Sequence, residues 1–439
     1  MVRGRKANLP SRLVGSRPLL LLAFAFAVMA DPVSSVAYAV EAALRALHGD
    51  LGLLVTTMVL VVGIIALIVL NYRQIIDRYP EGGGAPAAAA EAFGEGWAFV
   101  PVGALVVDFT LTIAISVAAA ASAAIAFFPA LAPWRILIAV GLVLVVAGMT
   151  LLGHFGRLVF AAFSVAFVVT AVSVLVFGLF AAPAGSGPGQ GALGGAGGVV
   201  PVMLAFPVAM ALATGVEAPS TAIAELEELD DDGRRHFGKL TLWLMLGIVG
   251  TLTIGVAVEA ARLGIGVPQG ESTQIAELAR YVAPPGVFAV FQLVTALLLL
   301  SAASSSFQAG PGLLKALARG VEGGEDNGGA LPEALGRTNA RHAPYWGTLL
   351  FYAVAVFVSF LAGLTSMAFF SHREGRTGYL VLNCAGVLIV AFTLVVNLLR
   401  GLPLFSVAAS LAVAGIFYVL WVRDGKPQGL HGGKARGRK

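Results

Sequence analysis

The chain has 439 residues, of which 58% are hydrophobic and only 12% are charged. Soluble proteins carry about 25% charged residues, so this composition excludes a soluble protein. Apolar stretches of about 20 residues recur along the chain and predict an all-α polytopic membrane protein, and the alternation of an outer-membrane barrel is absent. The net charge is +4, and the basic residues lie in loops and tails, as the positive-inside rule expects. They therefore do not indicate nucleic acid as a partner.

The hydropathy pattern divides the chain into three parts. Residues 1–17 are a basic cytoplasmic N-terminus, residues 18–422 form the transmembrane domain, and residues 423–439 are a basic tail that we expect to be disordered. Eleven spans are predicted, and some are long enough to include re-entrant pieces, so the total is eleven to twelve. The spans lie near residues 18–47, 51–72, 98–128, 134–153, 158–182, 200–220, 239–262, 284–318, 344–370, 379–399 and 402–422.

Lys and Arg in short loops predict the orientation of these spans. We expect the protein to lie in the plasma membrane, and Arg3, Arg5 and Lys6 predict that its N-terminus is in the cytoplasm. The loops after spans two, four, six and eight also contain basic residues, in agreement with this orientation. The rule then fails, because a single span at 344–370 would put the basic tail outside the cell. Whether residues 320–370 contain one span or two therefore stays open. The stretch LLLLAFAFAVMA after a basic start also permits a second interpretation, as a signal peptide.

Span one carries an acid and a proline, Asp31-Pro32, near its middle, in the stretch MADPVSSVAYAVEAAL. A carboxylate at the bilayer centre costs about 2.5–3.5 kcal/mol or more, and proline removes a backbone hydrogen-bond donor. The pair therefore predicts an interruption of the helix at Asp31.

Span six contains a similar interruption. Its segment TGVEAP, residues 214–219, combines a polar residue, a glycine, an acid and a proline. In a five-helix inverted repeat, spans one and six are equivalent, and paired broken helices mark the substrate site of secondary transporters. The two breaks are the strongest functional signal in the residues alone.

Polar side chains near the breaks are spaced so that they share helix faces. They contribute carboxylates, hydroxyls and a phenol, which are the oxygen ligands that hard cations prefer. The residues are Asp31, Tyr38, Asp108, Thr112, Ser116, Thr214 and Glu217. Since a buried carboxylate can also carry a proton, the set predicts a cation site coupled to a proton site. A structural alternative stays open for Thr112 and Ser116, whose hydroxyls could bond only to carbonyls one turn earlier.

Four stretches resemble a known family: DPVSSVAYA in span one, YPEGGGAP after span two, DFTLTIAISV in span three and ALATGVEAPS in span six. Together they resemble the amino acid–polyamine–organocation (APC) superfamily and, more closely, its bacterial KimA-type potassium–proton symporters. The resemblance implies a LeuT-like 5+5 inverted repeat with broken helices 1 and 6. Repeat one would lie near 18–182, repeat two near 200–370, and extra helices at 379–422. A homodimer is implied only by analogy with relatives.

The resemblance also implies a set of potassium ligands. These fall on the same seven residues, and the stretch LFYAVAVFVSF adds Tyr352 from helix ten. That match leaves helix nine or helix ten without a counterpart, in agreement with the charge conflict. Because the sequence stops at Lys439, we do not expect nucleotide regulation through the soluble C-terminal domain of longer family members.

Three functions stay open at this point. The first is proton-coupled potassium uptake by alternating access, with no cofactor besides the transported ions. The second is a proton-coupled permease for amino acids or other organic amines, in which a carboxylate at Asp31 would repel the substrate carboxylate that such relatives hold at a helix N-terminus. The third is a non-transporting relative that lost a helix. An enzyme is not expected, because no nucleophile–base set is present.

Overall fold

The computed structural model describes most of the predicted membrane domain. The described residues are 17–152, 157–183, 198–223, 226, 229–268, 272–319, 372, 377–378, 380–388 and 404–423. The regular structure within these ranges is helical throughout. The predicted span at 344–370, which carries Tyr352, lies outside them, so the choice between one span and two stays open.

The α-helices are numbered in chain order. They are α1 (Arg17–Val28), α2 (Ala30–Ala46), α3 (Leu51–Arg78), α4 (Gly84–Phe93), α5 (Phe99–Phe127), α6 (Arg135–Leu152), α7 (Arg157–Phe180), α8 (Val199–Ala209), α9 (Ala218–Ala222), α10 (Asp231–Leu263), α11 (Gln274–Val282), α12 (Pro285–Arg319) and α13 (Leu404–Arg423). Short 3₁₀ helices cover Glu95–Ala98, Pro129–Trp134 and Met210–Ala213, and residues 380–388 are also helical.

The described helices include the first eight predicted spans. Within the described ranges, seven helical spans are long and apolar enough to cross a membrane, or eight when the bent pair of α1 and α2 is counted as one. Their outer faces are apolar: on α6, Ile136 is 78% exposed and Leu144 is 67% exposed. Continuous exposed apolar faces need lipid or another helix against them. The chain is therefore a multi-pass membrane protein.

Two groups of helices pack around the broken first span. α3 packs along α10, whereas α5 packs along α12 and α13, and α2 contacts helices of both groups. The crossing of α5 and α13 is close, because a Cβ atom at Gly103 would lie 2.6 Å from the carbonyl oxygen of Ser410. Small residues allow helix backbones to approach in this way within membranes. The span that carries Asp31 thus lies between the two groups.

Helix α11 joins the broken span one to α5 at the end that the charge pattern predicts to be extracellular. The backbone amide of Gln274 donates to the carboxylate of Glu41 on α2 at 2.9 Å. Arg280 donates to the carbonyl of Ala126 near the end of α5. One short amphipathic helix is therefore bonded both to the broken span and to the straight span α5.

Span one is bent by 42° between α1 and α2. The bend lies at Met29, two residues before the predicted position, because the amide that Pro32 lacks would have bonded to the carbonyl of Val28 at the end of α1. Asp31 and Pro32 themselves lie in the first turn of α2. An acid in this turn is stabilised by the partial positive charge of the helix N-terminus. The prediction of a break at Asp31 is corrected accordingly.

Span six is unwound rather than bent. After α8 the chain forms the 3₁₀ helix Met210–Ala213, and residues 214–217 are not helical before α9 begins. Gly215 has a φ of +81°, in the left-handed region that glycine adopts readily, and Pro219 lies in the first turn of α9. The predicted interruption of span six is confirmed.

Candidate substrate site

The two breaks are in direct contact. A Cβ atom at Gly215 would lie 2.8 Å from Cδ of Pro32 and 3.0 Å from Cγ of Asp31. The hydroxyl of Ser35 donates to the carbonyl of Pro32 at 2.6 Å and to that of Leu212, in the 3₁₀ helix, at 3.2 Å. The unwound part of span six therefore packs against the first turn of α2.

Three carboxyl groups meet beside this contact. Asp31, Asp108 and Glu217 are each at most 7% exposed. The three carboxyl groups are close enough to one another for their charges to interact. A protonated carboxyl group can donate to an ionised neighbour, so a cluster of this kind can share a proton.

Each of these acids also has an oxygen without a hydrogen-bond partner, namely Asp31 Oδ1, Asp108 Oδ1 and Glu217 Oε2. Among the described residues, none of the three forms an ion pair with Lys, Arg or His. Burying a carboxylate without a partner is strongly unfavourable. The cluster is therefore stable only when protons or a bound cation balance its charge.

The polar stripe on α5 contains hydroxyls of two kinds. Thr110 donates to the carbonyl of Val106, one turn earlier, at 3.0 Å. Thr112 and Ser116 are fully buried, yet their hydroxyl oxygens have no hydrogen-bond partner. The structural alternative for these two residues, a bond to the preceding turn, is therefore wrong.

A cavity of about 130 Å³ opens beside the acids, between α2, α5 and span six. Four of the predicted residues line it: Tyr38, Asp108, Thr112 and Thr214. Its other walls are apolar and consist of Leu111, Ile115, Pro207, Val208, Met210 and Ala211. Asp31, Glu217 and Ser116 are not part of this lining, and the two acids adjoin it through their interactions with Asp108. The eighth predicted residue, Tyr352, lies outside the described residues.

The acids are not arranged as a compact metal centre. In the described part of the chain, no three His, Cys, Asp or Glu side chains gather closely enough to hold a metal ion. Divalent cations prefer dense sets of carboxylates, whereas hydroxyl, phenol and carbonyl oxygens also serve weaker hard cations. The oxygen set around this cavity is mixed and consists of the carboxyl group of Asp108, the hydroxyls of Thr112 and Thr214, and the phenol of Tyr38.

Sequence analysis did not select two residues of this contact, Ser35 and Gly215. The signals were nonetheless present: a serine that follows a helix break can satisfy a freed carbonyl, and a glycine between two polar residues can adopt the left-handed conformation. What the sequence did not reveal was that both residues face the opposite break.

The sequence also matches known proteins. The sequence profile of the family described as amino acid permease matches residues 19–428. The chain is 32% identical over 323 residues to the potassium transporter KimA of Bacillus subtilis (strain 168), an alignment that covers 71% of this chain and 52% of that relative. The chain thus spans about half the length of KimA. With nearly its whole length matched, this chain belongs to the amino acid permease family of the APC superfamily.

Proposed function

We propose that this protein is a secondary active transporter that takes up potassium together with protons by alternating access. The observation that carries the proposal is the buried cluster of Asp31, Asp108 and Glu217, which has unpartnered oxygens and, among the described residues, no cationic side chain. Such a cluster needs exchangeable cations to be stable. Its place where two broken spans meet is the usual place of a transporter substrate site.

The size of the cavity supports a small substrate. Its volume of about 130 Å³ would hold an ion with a few water molecules. Sites for drug-sized ligands have volumes of roughly 300–1,000 Å³. The similarity to KimA, a potassium transporter by name, adds independent support for potassium.

In the proposed cycle, potassium enters from outside and loses water between α2, α5 and the unwound part of span six. Tyr38 and Thr214 supply neutral oxygens, and Asp31 balances the charge of the ion. Asp108 and Glu217, whose charges interact, hold the coupled proton. Rocking of the α3–α10 group against the α5–α12 group then opens the inner side.

A proton-coupled permease for amino acids or organic amines is the second candidate, because the family profile carries the description amino acid permease. An amine group would suit the acidic cluster. The carboxylate of an amino acid would instead meet Asp31 in the first turn of α2, the position where that substrate group needs free backbone amides. For this reason we place potassium first.

Growth at limiting potassium tests the proposal. The chain is expressed in a bacterium that lacks its own potassium uptake systems, alongside Asp31→Asn, Glu217→Gln and the control Asp232→Asn, whose side chain is 88% exposed. We expect the wild type and Asp232→Asn to restore growth and the two site variants to fail at equal membrane abundance. A well-expressed wild type that does not restore growth would contradict the potassium proposal, and uptake of labelled amino acids would then be measured.

We also propose that the protein lies in the plasma membrane with its N-terminus in the cytoplasm. The basic residues before α1 support this orientation through the positive-inside rule. A reporter fused to the N-terminus that is active only in the cytoplasm should be active in this fusion. A reporter that is active only after export would indicate the opposite orientation.

A further inference from the structure

Two adjacent serines follow the bend in span one, and both are fully buried. Ser34 donates to the carbonyl of Asp31 at 2.7 Å, and Ser35 donates to the carbonyl of Pro32 at 2.6 Å. Each serine therefore makes the same local bond, three residues back, inside α2. Only Ser35 also reaches another span, where the carbonyl of Leu212 lies 3.2 Å from its hydroxyl oxygen.

The carbonyl of Leu212 is one that the unwinding of span six sets free. Among the residues that the structure describes, no backbone amide donates to it. A carbonyl inside a membrane protein needs an internal partner, because the bilayer core offers no water. The hydrogen of the Ser35 hydroxyl, shared between two carbonyls, meets this need and joins the two broken spans.

This bond lies next to the groups that form the candidate site. Leu212 precedes Thr214 by two residues, and Gly215 packs against Asp31 and Pro32. A shift of the 3₁₀ helix relative to α2 would therefore change the distance between Asp31 on one side and Thr214 on the other. A cation held between the two spans depends on that distance.

We infer that Ser35 is a positioning residue, which fixes the unwound part of span six against α2 and thereby sets the affinity and selectivity of the cation site. The inference rests on the proposed function for its transport consequences. The bond between Ser35 and Leu212 does not depend on the proposed function, so its effect on the two spans can also be measured without any substrate.

The matched variants are Ser35→Ala and Ser34→Ala. Both remove a buried hydroxyl and one local bond, but only Ser35→Ala removes the bond between spans. In proteoliposomes we expect Ser35→Ala to raise the KM for potassium about tenfold, or about 1.4 kcal/mol, and to weaken discrimination against sodium, with little change in kcat. Ser34→Ala should change the KM less than about twofold, or about 0.4 kcal/mol.

A second readout is hydrogen–deuterium exchange in the peptide that covers residues 210–217. Loss of the bond should speed exchange there in Ser35→Ala and not in Ser34→Ala, since local opening controls this rate. If the wild type does not carry potassium, the proposed function fails, and the exchange comparison still decides the role of Ser35. Equal exchange and equal KM in the two variants would overturn the inference, as would a lower melting temperature for Ser35→Ala without any change in KM or exchange.

Discussion

Spans one and six are both interrupted at the candidate site, but they are interrupted in different ways. Span one keeps its backbone hydrogen bonds up to and beyond Met29, which bonds to Ala25 and accepts from Val33, and it bends by 42°. Span six loses its helix over residues 214–217 and resumes with a helix of five residues. The first break is a kink at which a single backbone bond is missing, whereas the second is a gap in the helix.

The difference follows from the residues at each break. Pro32 removes one donor, so a single bond is lost and the helix restarts at once. At the second break Gly215 adopts a left-handed φ of +81°, which stops the helix and frees carbonyls on either side. A proline alone produces a kinked helix. A glycine followed by a proline produces an unwound segment, whose free carbonyls need hydrogen-bond donors from the opposite span.

The largest effect is expected from Gly215→Val, which closes the gap with a side chain. A β-branched residue at positive φ is strained by about 1–3 kcal/mol, and its Cβ would also meet Pro32 at 2.8 Å. We expect transport to fall below about one hundredth of wild type, which corresponds to more than about 2.7 kcal/mol. Uptake into proteoliposomes measures this.

Gly141→Val is the control for that variant, because nothing lies within 4 Å of a Cβ atom at Gly141 on α6. It should transport like the wild type. If the two glycine variants behaved alike, the close contact between the breaks would have no bearing on transport.

A smaller effect is expected from a substitution on α5, the unbroken helix that lines the cavity. Thr112→Val replaces an unpartnered hydroxyl at the cavity, and the loss of one ligand should raise the KM for potassium about tenfold, or about 1.4 kcal/mol. Thr110→Val, whose hydroxyl is already bonded to Val106, should leave the KM within about twofold. Concentration series of uptake for both variants would test this, and the reverse ranking would contradict the site.

The smallest effect is expected from Pro32→Ala, which restores a donor opposite the carbonyl of Val28. The new bond should stabilise the fold by about 0.5–1.5 kcal/mol and reduce the bend, while transport falls only about two- to threefold, by less than about 0.7 kcal/mol. Thermal melting in detergent and uptake rates measure the two changes. A loss as complete as that of Gly215→Val would show that the kink and the gap are equally essential.

The sequence predicted the elements of this fold well, because long apolar runs can form only spanning helices. The first eight spans appear where hydropathy places them, and family membership confirms the predicted LeuT-like fold with its two broken helices. The limits of the three parts of the chain are still predictions. So are the ligand roles of the candidate residues, although the structure does bring six of the eight together, four in the cavity lining and Asp31 and Glu217 beside it.

Other features depended on contacts that a linear pattern does not contain. The bend lies at Met29 rather than Asp31, because a missing amide acts on the carbonyl four residues earlier. Thr110 and Thr112 have the same side chain on the same helix, and only their neighbours decide which one is bonded. The bond from Ser35 to Leu212 joins residues 177 positions apart, so no local spacing could have predicted it.

The acids at the contact have a consequence for the electrical behaviour of the protein. In the described part of the chain they form fixed anionic groups without a fixed counter-charge, which is the design of a cation-exchange resin. The charge of such groups is balanced by mobile cations. If the proposed function holds, potassium and protons bind to the acids together and are released together on the inner side, and the number of buried carboxylates that they neutralise sets the coupling ratio.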